Sequence, residues 1–194
     1  MDNFFLNNTY VIDEKVQVLK LSNTYKVYDA EGNEIGAIKE NLPGSRALLS
    51  LFVSKKNLPF TLEVYNAQEK IVATLERGFT FFMSSVQILD ESKSQIGTIK
   101  QKFGLKPKFI LEDMNKNQIA TIQGDWTAWN FTITDASGKE IGNISKKFNG
   151  LAKEFFTDAD KYAVNIDPSV TDPIQRMAIA STASAIDMIL KENN

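Results

Sequence analysis

The chain has 194 residues, 43% of them hydrophobic and 24% charged, with a net charge of −2. That length suits a single core, and the near-neutral balance supplies no overall field to attract nucleic acid or an anionic membrane. Cysteine and histidine are both missing, which excludes disulfides, thiolate or imidazole metal ligands, and Ser-His-Asp or Cys-His catalysis.

The opening residues, MDNFFLNNTY, have no basic stretch followed by an apolar run, so they do not read as a signal peptide. Further along, strand patterns fall at 16–21, 25–29, 34–39, 47–53, 60–65, 70–76, 85–89, 95–100, 108–112, 118–123, 129–134 and 140–145, with shorter extended pieces at 155–157 and 162–166. A phrase recurs through them. Alternating apolar residues lead to an acid or amide, a polar turn follows, and the next strand opens with Ile-(Gly/Ala/Val)-x-(Ile/Leu). The acid or amide is Asp29, Asn66, Asp90, Asp113 and then Asp135, spaced 22 to 24 residues apart from Asn66 onward. Each unit is a hairpin, and the series is an antiparallel meander. Asp29-Ala-Glu-Gly-Asn and Asp135-Ala-Ser-Gly-Lys carry an Asp that bonds its own turn and a Gly that accepts positive φ.

The last segment is different. Thr171-Asp172-Pro173 starts a helix that runs to about Lys191. Between its interior charges, Arg176 and Asp187, every residue from 177 to 186 is apolar or small. Such a helix requires burial on all sides, and it falls short of the roughly 20 apolar residues of a membrane span. About twelve strands close into a barrel wider than the eight-stranded kind, and a helix about 10 Å across fills the extra width. The expected fold is therefore mainly β: a single domain over 1–194, a closed antiparallel barrel of about twelve strands with a hydrophobic helix, 170–191, through its centre. Ala180, Ser181, Ala183, Ser184 and Ala185 allow the wall to approach the helix backbone.

These residues resemble the phospholipid scramblase family. The likeness lies in Pro59-Phe-Thr-Leu-Glu-Val-Tyr-Asn, Ala73-Thr-Leu-Glu-Arg77, Lys108-Phe-Ile-Leu and Ile141-Gly-Asn-Ile-Ser-Lys-Lys. It is sharpest in Gly150-Leu-Ala-Lys-Glu-Phe-Phe-Thr-Asp-Ala-Asp160-Lys-Tyr and in the helix with Ile186-Asp187. The resemblance implies the barrel-around-a-helix fold shared with the tubby C-terminal domain and the LURP-one-related proteins. It also implies a compact, bacterial-type member and lipid-related function linked to phospholipid scrambling; the missing catalytic side chains, for their part, argue against an enzyme. The family's cysteine cluster is replaced by Phe79-Thr-Phe-Phe-Met-Ser-Ser85, which removes S-acylation.

The candidate sites follow. Lys100, Lys102, Lys106 and Lys108 surround Phe103 and Leu105, and Lys146 and Lys147 form a smaller group. Lysines at strand ends bind phosphate head groups while apolar tips dip into the interface, or else they form a solvated rim. Asp158 and Asp160 align with the segment the resemblance assigns to calcium. Its sixth and twelfth positions are Ala163 and Ser169, where a calcium loop has Gly and a bidentate acid, so weak Ca²⁺ binding competes with a plain turn and strand. No other cofactor is expected. Trp126, Trp129 and Phe131 read as barrel lining, and Phe79–Met83 as core or, alternatively, a membrane-touching loop. Asp187 requires a partner such as Arg46, Arg77 or Arg176. The expected function is binding of anionic phospholipid or phosphoinositide head groups by a cytoplasmic protein, peripheral at the inner membrane face. The alternative is a soluble protein-interaction or ligand-carrying module.

Overall fold

The structure, a computed structural model, describes residues 2–14, 24–41, 57–125, 127–146 and 161–191. A 3-10 turn, Asn3–Leu6, precedes twelve strands. They are β1 (Thr9–Glu14), β2 (Thr24–Tyr28), β3 (Glu34–Asn41), β4 (Phe60–Asn66), β5 (Ile71–Arg77), β6 (Ser85–Asp90), β7 (Gln95–Lys102), β8 (Lys108–Asp113), β9 (Gln118–Asp125), β10 (Asn130–Thr134), β11 (Glu140–Ser145) and β12 (Lys161–Ile166). The helix α1 spans Pro173–Lys191. Every strand pairs antiparallel with its sequence neighbour, and β1 pairs with β12 to close the barrel. The strands expected at 16–21 and 47–53 and the extended piece at 155–157 lie outside the described residues. The sequence reading has no strand at β1, and it has β12 only as the short extended piece 162–166.

The recurring phrase has a structural meaning. In five hairpins the register shifts at the same place, leaving one extra residue on the second strand: Ile35, Val72, Ile96, Ile119 and Ile141. A bulge of this kind bends the strand and increases its twist, which helps a sheet curl into a barrel. The extra side chain packs on the core in each case. The small residue that follows allows close approach: a Cβ on Gly36 would lie 2.0 Å from the Tyr65 carbonyl oxygen, and one on Gly142 would lie 2.3 Å from that of Asn165. The closing Ile38, Leu75, Ile99, Ile122 and Ile144 are all buried in the lumen.

The turns repeat as faithfully. Asp29, Asn66, Asp90, Asp113 and Asp135 each accept from backbone N–H groups two and four residues on through Oδ1. The residue three positions on has positive φ: Gly32, Glu69, Lys93, Lys116 and Gly138. This is the three-residue hairpin whose last loop residue is left-handed.

The core is the barrel lumen. Along β4 the burial alternates strictly, with Phe60, Leu62 and Val64 inward and Thr61, Glu63 and Tyr65 outward. The helix starts where Asp172 Oδ1 accepts from the Gln175 N–H at 2.7 Å, with Pro173 in the first turn. From Arg176 to Leu190 every residue of α1 is buried. It passes against β5, β6, β7 and β12, as the uncharged stretch requires. Arg176, near the helix start, donates to the carbonyl oxygens of Phe5 (2.9 Å), Val170 (2.9 Å), Leu6 (3.2 Å) and Asn7 (2.6 Å) and to Asn8 Oδ1 (3.0 Å). It staples the N-terminal turn and the β12–α1 link to the plug.

Candidate functional site: the loop end of the barrel

An antiparallel meander gives the barrel two unlike ends. One end carries the five tight turns and the entry of α1. The other carries, among the described residues, 78–84 between β5 and β6, 103–107 between β7 and β8, and 127–129 before β10. The exit of α1 lies there too.

The basic candidates divide by their surroundings. Lys100 sits on the barrel wall, its Nζ 2.6 Å from Glu112 Oε2 on the adjacent strand, so its charge is engaged locally. Lys102 and Lys108 face each other across the β7–β8 pair at the loop end. Lys106 is exposed in the connection between them. Lys146 is exposed and holds its Nζ 5.7 Å from the centre of the Trp129 ring. Lys147, Asp158 and Asp160 lie outside the described residues. The four-lysine group is thus, structurally, three lysines at the loop end and one ion-paired on the wall.

The aromatic candidates also divide. Trp129 and Phe131 are buried, as expected, with Trp129 stacked on Tyr162 at 4.6 Å. Phe79, Phe81 and Phe82 are exposed, at 55%, 77% and 89%, so the first reading of Phe79–Met83 as core is corrected. The reason is position. Strand β5 ends at Arg77, and the run falls beyond it, in the connection. Phe103 and Leu105, at 78% and 108%, project from the next connection. The signal available in the sequence was the location of both runs between strands, which outweighs their hydrophobicity.

The first connection leads into β6 and the second leaves its paired neighbour β7. The Gln101 N–H donates to the Ser84 carbonyl at 2.9 Å, and the Ser84 N–H donates to Gln101 Oε1 at 3.2 Å. Buried Arg77 supports the first connection from below: its guanidinium donates to the Leu58 carbonyl and to Ser84 Oγ and lies over the Phe60 ring. The Thr80 N–H donates to the Asn57 carbonyl at 3.2 Å, and Thr80 Oγ1 donates to that of Met83 at 2.9 Å.

The opposite end is acidic. Hydrogen bonds from the Ser92 and Ser137 hydroxyls and the Asn117 amide, backed by turn N–H groups, hold Asp90, Asp135 and Asp113 below the usual carboxylate range. The Ser169 hydroxyl does the same for Asp167 in the β12–α1 link. These groups stay ionised at neutral pH. Among the described residues, the carboxylates of the tight-turn end share it with Lys70, Lys93, Lys116 and Lys139 and outnumber them there. Asp125, at the loop end, is lowered chiefly by the Thr127 hydroxyl, with Lys106 contributing.

Asp187 receives a hydrogen bond from Tyr25 Oη at 3.2 Å inside the barrel. Arg176, one of its expected partners, is instead committed to carbonyls at the far end of α1. Arg46 lies outside the described residues.

Among the described residues, no helix is long and apolar enough to cross a membrane, and no group of three acids is placed to hold a metal ion. The chain is similar to "Altered inheritance rate of mitochondria protein 25" of Saccharomyces cerevisiae, 22% identical across 82% of this chain and 58% of the relative. It is 27% identical to a phospholipid scramblase family protein of Schizosaccharomyces pombe, across 74% of this chain and 40% of that protein. It is also 23% identical to human "Phospholipid scramblase family member 5", across 95% and 74%. The chain thus spans about half the length of the two fungal relatives. In fold it matches the X-ray structure of an Arabidopsis thaliana protein, with a TM-score of 0.57 at 11% identity over 100% of this chain and 97% of that one. The architecture is that of the tubby-like barrels. The family profile described as Scramblase matches residues 10–193, nearly the whole barrel and its plug, and on that match the chain belongs to the scramblase family.

Proposed function

We propose that this barrel binds anionic phospholipid head groups at its loop end and acts as a rigid, non-catalytic platform on a membrane surface. The observation that carries this reading is the placement of Lys102, Lys106 and Lys108 around exposed apolar side chains at one end of the barrel, while the carboxylates of the tight turns cluster at the other. Each lysine near an anionic surface adds about 1 kcal/mol of attraction, falling off within a Debye length. Membership of the scramblase family points to the same class of ligand. The barrel wall itself is made for water. Its outward positions include Glu63, Gln87, Thr98, Glu112 and Thr132, and its lumen is apolar, the reverse of a lipid-embedded barrel with a polar interior. The helix fills the space in which a barrel would carry a ligand, which weighs against the carrier alternative.

Flotation on phosphatidylcholine vesicles with and without phosphatidylserine tests the reading. Binding is expected only with the anionic lipid, reduced about a hundredfold or more by combined Lys102→Ala, Lys106→Ala and Lys108→Ala, and only weakly by Lys100→Ala. Absence of binding at every charge density overturns it. Weak calcium binding through Asp158 and Asp160 is a separate proposal that rests on the family resemblance. A flat calorimetric titration at millimolar Ca²⁺ removes it. Leaflet exchange is a further activity, to be read with a dye-lipid assay.

A further inference from the structure

Head-group attraction alone does not explain why five large apolar side chains stand in solvent at this end. Phe79, Phe81, Phe82, Phe103 and Leu105 are the most exposed large apolar residues of the two connections, and the Ser84–Gln101 hydrogen bonds tie the end of the first connection to β7 just before the second begins. Buried Arg77 and the Thr80 bonds support the β5–β6 connection from below. Contiguous exposed apolar surface with a polar border marks an interaction site. Building on the head-group reading above, we infer that the β5–β6 and β7–β8 tips form a wedge that enters the acyl boundary of an anionic leaflet, with Lys102, Lys106 and Lys108 remaining at head-group level.

Three observations favour a bilayer as the occupant. The tips are convex: Leu105 is fully exposed, a shape that suits a deformable phase and would require a matched pocket on a protein. Lysines alternate with the apolar residues through 102–108, the arrangement of interfacial anchors, in which apolar groups sink about 5–10 Å and cations pair with lipid phosphates. A second copy of this chain, docked about a two-fold axis, would bring the same three lysines against themselves, which like-charge repulsion opposes. The acidic turn end is repelled by an anionic leaflet, which sets the orientation: loop end down, tight turns away from the membrane.

The chain has no cysteine, so an introduced one is a unique attachment point. Phe82→Cys, Leu105→Cys and, at a tight turn, Ala136→Cys are labelled with an environment-sensitive fluorophore. They are mixed with phosphatidylcholine vesicles containing phosphatidylserine, with and without acyl-chain spin labels. The positions are exposed, so folding is retained, and circular dichroism verifies it. The expected result is a blue shift and acyl-chain quenching at 82 and 105 and neither at 136. In addition, Phe81→Ser with Phe82→Ser should lower vesicle affinity at least about tenfold even in high salt, where the lysine contribution is screened. If unlabelled protein floats with the vesicles but probes 82 and 105 keep water-like emission, the wedge is refuted and the head-group reading stands. If unlabelled protein does not float at all, the head-group reading itself fails. Self-association in the ultracentrifuge that is abolished by Phe81→Ser with Phe82→Ser assigns the patch to a second copy and also overturns the inference.

Discussion

Replacing Arg176 tests how the plug is fastened. Its guanidinium is buried and bonds four carbonyls and one side-chain amide. Arg176→Met keeps the stem and removes every donor. The carbonyls of Phe5 and Val170 are in buried bonds, whereas those of Leu6 and Asn7 are partly exposed and regain water. Two buried acceptors left empty cost about 1–3 kcal/mol each, or about 2–6 kcal/mol together. Relief from desolvating a cation offsets a little of this, giving an expected loss of about 1–5 kcal/mol. The upper end is a large part of the roughly 5–15 kcal/mol that holds an average domain folded. Arg176→Lys reaches fewer carbonyls with one ammonium and should lose about half as much. Urea unfolding followed by tryptophan fluorescence measures both, with exposed Ile174→Ala as a control expected within about 0.5 kcal/mol of the parent. A loss under about 1 kcal/mol for Arg176→Met would show that the staple is incidental and that apolar packing alone seats the helix.

The strand-crossing contact at Gly142 predicts that Gly142→Ala costs about 2 kcal/mol or more in the same assay, because the new methyl meets a backbone carbonyl that cannot rotate away. Lys116 holds positive φ at an exposed turn, so Lys116→Gly should stabilise by about 0.5–1 kcal/mol, the left-handed penalty less the entropy of glycine. An unchanged or lower urea midpoint contradicts that account. Burial pushes the Tyr10 phenol well above its ordinary range, partly opposed by Arg176 beside it. A raised folded-state pKa means stability present below about pH 10 and lost as pH rises further, so Tyr10→Phe should flatten the alkaline limb of the stability profile. On the acid side, the lowered turn carboxylates contribute stability above the ordinary carboxylate range that fades as pH falls below it. Carbon-detected titration should place their midpoints below those of free Asp.

Much of this molecule is legible in its letters because the fold is repetitive. Ile-Gly-Asn-Ile or Ile-Gly-Thr-Ile after an Asp-capped turn encodes strand, bulge and inward anchor together, and five copies reinforce one another. The helix was legible for the opposite reason: residues 177–186 offer water no face at all. Two things were not legible. The strand Thr9–Glu14 pairs with Lys161–Ile166 across the whole chain, and no local pattern announces a partner so distant. The exposure of Phe81 and Phe82 was hidden because hydrophobicity normally reports burial; only their place after Arg77, past the end of β5, gives them away. Likewise Lys100 looks like its neighbours in the sequence and differs from them because Glu112 stands opposite it in space.

The seam between β1 and β12 joins Thr9 to Asn165, and the central helix is translated after both. On the ribosome, the early staves thus emerge with neither the mate that seals them nor the cylinder that fills them. Until the final turns of the chain arrive, the inner face of the wall remains wet and its first edge is open to foreign strands. Closure therefore proceeds at the slow pace of long-range contacts, with an unpaired edge exposed until the last stave and the helix are in place.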